Sequence, residues 1–203
     1  MRNLVVASLY CAQPSLADQV SSVEAAAKMN FDRMPAVVSV DQIAGHCGAT
    51  PVVNRQAAYC TSQNTIYIAQ QVRAQSHAPY LVAHLFGHAV QVQHGVADVA
   101  LREIRSRPAE EATLRGFVAG QVDCIAGFVM AQAGQGEFSI MDSFESEPFA
   151  GIHWGRDPLR IGPVVSIGIK ERDEWLRKGQ SGDISVCAPG EFGSELLVRA
   201  LRN

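Results

Sequence analysis

The sequence predicts an α+β fold, with a small sheet and a functional site between two long helices. One observation behind this prediction is the order of the patterns, which runs from an amphipathic helix through short β-branched segments to two long helical segments. The other is size, because a chain of 203 residues buries roughly 70% of the surface that it exposes when unfolded. We therefore expect a single domain over residues 1–203.

The first third of the chain predicts one helix and a small sheet. Residues 15–29 have the spacing of an amphipathic helix. Residues 35–40 form a short β-branched run, and residues 56–69 predict a hairpin that turns at residues 62–64. The apolar face of the helix should pack on this sheet, and it carries Leu16, Val20, Val23 and Ala27.

The two long helices follow the sheet. The first should start at residues 76–79 and run to about Gln93, because Gly95 ends it. Pro108 should open the second, which has acidic residues in its first turn and runs to Ala133. After them, we expect irregular structure or short helix at residues 136–160, a last helix that ends near residue 179, and an amphipathic stretch at residues 195–202.

The composition excludes several functional classes. A net charge of −3 and 18% charged residues leave no basic stripe for nucleic acid or an anionic membrane. No apolar run reaches the roughly 18 residues of a transmembrane segment. Residues 1–17 predict either a signal peptide or a first structural element. Five cysteines suffice for two disulfides, which favours an extracytoplasmic or secreted protein, and a cytoplasmic protein with reduced thiols is the alternative.

Two histidines carry the strongest chemical signal. His84 and His88 are four residues apart on a predicted helix, so both imidazoles face the same side and suit one zinc ion. In a zinc hydrolase with this spacing, a glutamate after the first histidine takes a proton from zinc-bound water. Leu85 stands at that position and has no proton to exchange. The sequence therefore predicts the frame of a metallopeptidase site without its general base.

Two alternatives accompany this interpretation. His94 completes the histidine spacing of the metzincin motif, but Gln91 replaces the glycine that turns the chain there. In a continuous helix His94 would be rotated by roughly 240° from His88, at about 100° per residue. The other alternative is that His84 and His88 are ordinary helix histidines, satisfied by neighbours such as Asp123.

Several blocks of the chain, taken together, resemble the bacterial neutral zinc metallopeptidase family. The first is HLFGHAVQ at residues 84–91, where the family has His-Glu-Phe-Gly-His-x-Val-Gln. The second is AGQVDCIAG at residues 119–127, where the family has Glu-Leu-Gln-Ala-Asp-Cys-x-Ala-Gly. The resemblance spans residues from about 35 to 187, and its further blocks are residues 46–48, 58–60, 65–67 and 171–187.

The resemblance implies a zincin-like fold in which two histidines and a glutamate hold zinc. The glutamate position falls on Ala119, while Asp123, the residue expected to orient a histidine, is retained. Glu111 lies eight residues before Ala119, about 12 Å along a helix, and is too far to replace the ligand. The resemblance also implies disulfides between Cys47 and Cys60 and between Cys124 and Cys187, which leaves Cys11 unpaired.

These features predict a catalytically inactive metallopeptidase-like protein with a binding or assembly role in the cell envelope. We expect no zinc or weakly bound zinc at His84 and His88, a cleft floor made more apolar by Leu85, and a peptide or protein as partner. The alternative is an active zinc metallopeptidase with an atypical ligand or base, for which His94 and Asp123 are the candidates.

Overall fold

The computed structural model describes residues 16–149, 151–159 and 165–202, with side chains from residue 19 onward. The predicted signal peptide and Cys11 lie outside these residues. The helices are α1 (Leu16–Asn30), α2 (Gln70–Arg73), α3 (Ala78–Gln93), α4 (Val96–Ser106), α5 (Glu111–Gln132), α6 (Ile140–Ser143), α7 (Ile169–Gly179) and α8 (Glu195–Ala200), and the strands are β1 (Ala36–Val40), β2 (Ala57–Cys60), β3 (Thr65–Ala69) and β4 (Trp154–Gly155).

The four strands form one small mixed sheet in the order β1-β3-β2-β4. Strands β2 and β3 are the predicted antiparallel hairpin, and β1 pairs with β3 in parallel. The two-residue strand β4 joins β2 in parallel, with Tyr59 opposite Trp154. This last pairing places the segment before β4 at the edge of the sheet, beside α3.

Helix α3 runs through the centre of the protein. Its residues from Ala78 to Gln91 are all buried, as expected for a helix that is apolar on every side. It packs between α1, α5 and the sheet, and the α1 residues Val20, Val23 and Ala27 are fully buried in the same core. At Gly87 the helix comes so close to α5 that an added Cβ would lie 2.6 Å from the Val122 carbonyl oxygen.

Helix α5 is held on its other side by α7. Glycine at positions 127 and 179 permits this approach, because a Cβ at either position would overlap the backbone of the facing helix. The predicted disulfide between Cys124 and Cys187 ties α5 to the turn after α7. The second disulfide, between Cys47 and Cys60, ties the turn at residues 46–48 to the end of β2. Both disulfide predictions are confirmed.

The helices and strands predicted from the sequence are confirmed to within a few residues, and three of the elements named above were not predicted: the one-turn helix α2, helix α4 and strand β4. Helix α4 buries Val96, Ala100 and Ile104, which are four residues apart, so its pattern was available in the sequence. Strand β4 has two residues and no pattern of its own. Within the described residues, Pro108–Gln132 is long and apolar enough to span a membrane, but 67% of its most apolar window is buried in the protein, which accounts for its composition.

Candidate metal centre

Three histidines meet at one point between α3 and the edge of the sheet. His84 and His88 come from α3, and His153 comes from the residue before β4. The Nε2 atom of His153 lies 3.2 Å from Nε2 of His84 and 3.0 Å from Nε2 of His88. The three rings therefore direct the same nitrogen toward a common centre.

The orientation of His84 is fixed from behind by α5. Its Nδ1 donates to Oδ1 of Asp123 over 2.7 Å, and Asp123 is fully buried. The same carboxylate accepts hydrogen bonds from the Tyr80 hydroxyl at 2.9 Å and from the Arg172 guanidinium at 2.7 Å. Arg172, on α7, also contacts Glu147 and the Val165 carbonyl. Because Nδ1 of His84 carries the proton, its Nε2 presents a lone pair.

His153 is fixed in the same tautomer by its own backbone. Its Nδ1 donates to the Gly151 carbonyl over 2.6 Å, so its Nε2 also presents a lone pair. The lone pairs of His84 and His153 thus face each other at 3.2 Å with no proton between them. Two acceptors at hydrogen-bond distance repel each other unless a cation lies between them.

His88 does not relieve this arrangement in either tautomer. Its Nδ1 is buried and has no hydrogen-bond partner among the described residues. With its proton on Nε2, His88 could donate to His153 only, and its Nδ1 would be a buried acceptor without a donor. With its proton on Nδ1, the Nε2 lone pairs of all three histidines would face one another. The His88 ring is held instead by stacking on Trp154, with ring centroids 4.7 Å apart.

The electrostatic environment keeps the three rings neutral. Burial lowers the pKa of His84 despite the attraction of Asp123. Burial, His84 and His153 lower the pKa of His88 well below its usual value, and burial and His84 lower the pKa of His153 to about 3. Burial alone would raise the pKa of the Asp123 carboxyl, but His84, Arg172 and Tyr80 together hold it below its usual value. Neutral imidazole is the form that binds metals.

The donor set fits zinc. Tetrahedral zinc with nitrogen ligands at 2.0–2.1 Å separates those nitrogens by about 3.3–3.4 Å, close to the 3.0 and 3.2 Å between Nε2 of His153 and Nε2 of the other two histidines. Three neutral imidazoles and one further position form a ligand set found in zinc proteins. The hydrogen bonds of His84 to Asp123 and of His153 to Gly151 are of the kind that orient histidine ligands.

The structure brings together some of the residues singled out in the sequence and separates others. His84, His88 and Asp123 meet as predicted, and Ala119 lies on the wall of the adjoining cavity. The expectation that Leu85 floors the cleft is wrong, because Leu85 is fully buried in the main core and does not line the cavity. The His94 alternative is also wrong: His94 follows the end of α3, and its Nε2 contacts the Asp32 carbonyl.

Sequence reasoning missed His153 and Arg172. His153 lies 65 residues after His88, in a segment predicted to be irregular, so no helical spacing relates it to the other two. The only sequence signal is a histidine beside tryptophan in a region rich in glycine, proline and phenylalanine. Arg172 lies in the block at residues 171–187 that resembles the peptidase family, but its link to Asp123 depends on how α7 packs.

A cavity of about 210 Å³ opens beside the histidines. Its walls come from α4, from the first half of α5 and from the segment before β4. Most of the wall is apolar, and this part includes Ala97, Ala100, Leu101, Ile104, Val118 and Ala119. No acidic side chain lines the cavity in the part of the chain that the structure describes. The cavity-lining Arg115 and Arg172 are paired with Glu111 and Glu147, which do not line the cavity.

Comparisons with protein-family models, curated proteins and solved structures found no match to this chain. The resemblance to neutral zinc metallopeptidases therefore stays a prediction, which rests on the blocks quoted above.

Proposed function

We propose that this protein is a zinc-binding, metallopeptidase-like protein of an extracytoplasmic compartment that holds its metal with three histidines and does not cleave peptides. The observation that carries the proposal is the pair of fixed tautomers, which direct the Nε2 lone pairs of His84 and His153 at each other over 3.2 Å. His153 takes the place of the ligand lost at Ala119. The sequence predicted no zinc or weakly bound zinc, because it offered two ligands. With His153 as the third ligand, we propose a complete zinc site.

The missing proton carriers argue against peptidase activity. Bound zinc supplies a Lewis acid and a polarised water, but amide hydrolysis also needs a group that takes a proton from water and delivers one to the departing amine. Leu85 carries no proton. Asp123 is occupied by His84, Tyr80 and Arg172, and no carboxylate among the described residues lines the cavity wall.

The compartment is supported by the two disulfides. Disulfides persist in oxidising environments and are rare in the cytoplasm. Cys124–Cys187 closes a separation of 63 residues and Cys47–Cys60 one of 13. In that setting, a metal-loaded cavity that binds without cleaving fits the binding or assembly role expected from the sequence.

The test is a zinc titration of protein purified without a metal-affinity tag and stripped with chelator. We expect one zinc per chain in the wild type and its loss in the His84→Ala, His88→Ala double variant. His94→Ala is the matched control, because it removes a histidine at the end of the same helix and outside the cluster. No zinc in the wild type, or equal zinc in the double variant, would refute the proposal.

The absence of peptidase activity needs a separate measurement. Zinc-loaded protein is incubated with a casein-type substrate, with and without chelator. We expect no hydrolysis above the chelated sample. Chelator-sensitive hydrolysis that also disappears in the double variant would establish an active peptidase instead.

A further inference from the structure

The cavity beside the histidines has a polar end and an apolar body. The three histidines form the polar end. The remaining wall is mostly apolar and combines small or aliphatic residues of α4 and α5 with the side chains of Phe149, Ile152, Trp154 and Val165. Its volume of about 210 Å³ is below the roughly 300–1,000 Å³ of cavities that hold drug-sized ligands. The shape therefore suits one small molecule with a single polar group and a short hydrocarbon part.

The charges around the polar end favour an anion. The histidine ligands are neutral, so a bound divalent cation keeps both of its charges, and no described acidic side chain on the wall offsets them. Arg115 and Arg172 also line the cavity, but each is paired with a carboxylate outside it. The metal itself is then the group that an anionic ligand would contact.

Ala119 leaves space for that anion. It lines the cavity one helical turn before Asp123, on the same face of α5. A longer side chain at this position would project into the cavity, whereas the methyl group leaves the room next to the histidines to a ligand from outside.

We propose that the cavity binds a small apolar monocarboxylate, with its carboxylate at the zinc held by His84, His88 and His153 and its hydrocarbon part against α4 and α5. This inference rests on the proposed zinc site. Fatty acids and the carboxyl terminus of an apolar peptide share this chemistry. Hexanoate and N-acetyl-leucine represent the two sources.

The experiment measures ligand binding to wild-type protein loaded with zinc, by calorimetry, and with Co²⁺, by the visible spectrum of the metal. We expect hexanoate or N-acetyl-leucine to bind at least about tenfold more tightly than acetate, because additional CH₂ groups leave water. Tighter binding of hexanoate would identify a fatty acid as the ligand, and tighter binding of N-acetyl-leucine would identify the carboxyl terminus of an apolar peptide. Hexylammonium, which has a similar tail and the opposite charge, should not bind, and metal-free protein should bind none of them.

Two variants test the polar end and the apolar wall of the cavity separately. Ala119→Glu places a carboxylate inside the protein, so we expect zinc to be retained and hexanoate binding to fall at least about tenfold. Leu101→Asn makes the apolar wall polar, so we expect zinc and acetate binding to be unchanged and the preference for hexanoate to shrink.

The outcomes distinguish this inference from the proposed zinc site. Absence of zinc in the wild type overturns both. Bound zinc with equal affinity for acetate and hexanoate, or binding of hexylammonium, overturns the monocarboxylate alone. These ligand series use wild-type protein, so the result holds even if Ala119→Glu fails to fold.

Discussion

The two sides of the metal centre are built in different ways. On the helix side, His84, His88 and Asp123 lie on α3 and α5, and Asp123 holds His84 through a buried hydrogen bond. On the loop side, residues 151–155 are held by backbone hydrogen bonds: the amides of Asn54, Tyr59 and Thr61 donate to the carbonyls of residues 152, 153 and 155, each over 2.8 Å. Backbone hydrogen bonds to the sheet region thus fix the position of residues 151–155.

This difference separates stability from metal binding. A buried network of charged side chains is costly to interrupt, because each group that loses its partner stays without water. A side chain on a segment that is held by its backbone can be removed while the segment stays where it is. Substitution of Asp123, the common partner on the helix side, should therefore destabilise the fold, and substitution of His153 on the loop side should remove metal binding from a folded protein.

The largest effect is expected for Asp123→Ala. The change leaves the Arg172 guanidinium, the Tyr80 hydroxyl and Nδ1 of His84 in the core without their common partner. We expect the free energy of unfolding to fall by about 3–5 kcal/mol, measured by urea denaturation of the metal-free protein. Asp41→Ala, at an exposed position, should change it by less than about 0.5 kcal/mol. Equal effects of the two changes would contradict the role given to the buried network.

The disulfides extend the comparison, since Cys124–Cys187 secures the helix side and Cys47–Cys60 the sheet beneath the loop side. Replacing both cysteines of a pair by alanine should cost about 4 kcal/mol for the separation of 63 residues and about 3 kcal/mol for that of 13. Urea denaturation of the two double variants shows which disulfide contributes more to the free energy of unfolding. A larger loss for Cys47–Cys60 would show that the loop side contributes more stability than its backbone hydrogen bonds indicate.

A smaller effect is expected where the two helices of the helix side touch. In Gly87→Ala the new methyl group would lie 2.6 Å from the Val122 carbonyl, so α3 and α5 must move apart, at a cost of about 1–3 kcal/mol. Gly116→Ala in α5 is the control, because the added methyl group would lie 3.4 Å from the Ile167 side chain and alanine favours the helix by up to about 1 kcal/mol. Thermal unfolding of both variants tests this, and a stable Gly87→Ala protein would contradict it.

The same division explains what the sequence could predict. His84 and His88 are related by the helical period, and Asp123 lies in a block that resembles the peptidase family, so the sequence could predict the helix side. Leu85 was assigned to the cleft because it stands where the motif has glutamate, yet its apolar side chain is fully buried in the main core and does not line the cavity. His153 reaches the site only because β4 pairs with β2, a contact between residues about 95 positions apart.

The last prediction tests the loop side directly. His153→Ala removes a partly buried side chain from a segment held by its backbone, so the stability of the metal-free protein should change by less than about 1 kcal/mol. Its zinc affinity should fall by more than roughly 100-fold, the upper range seen when only an orienting partner is removed. At a zinc concentration 100 times the wild-type Kd, zinc stabilises the wild type by about 2.7 kcal/mol, and His153→Ala should lose most of this gain.

Thermal unfolding with and without zinc measures both quantities in one experiment. His94→Ala should keep the full stabilisation by zinc, because His94 lies outside the cluster. If His153→Ala also keeps it, the third ligand is elsewhere and the loop side has no part in the metal centre. If His153→Ala unfolds without metal, the side chain supports the fold, and the division between a helix side that stabilises and a loop side that completes the metal site fails.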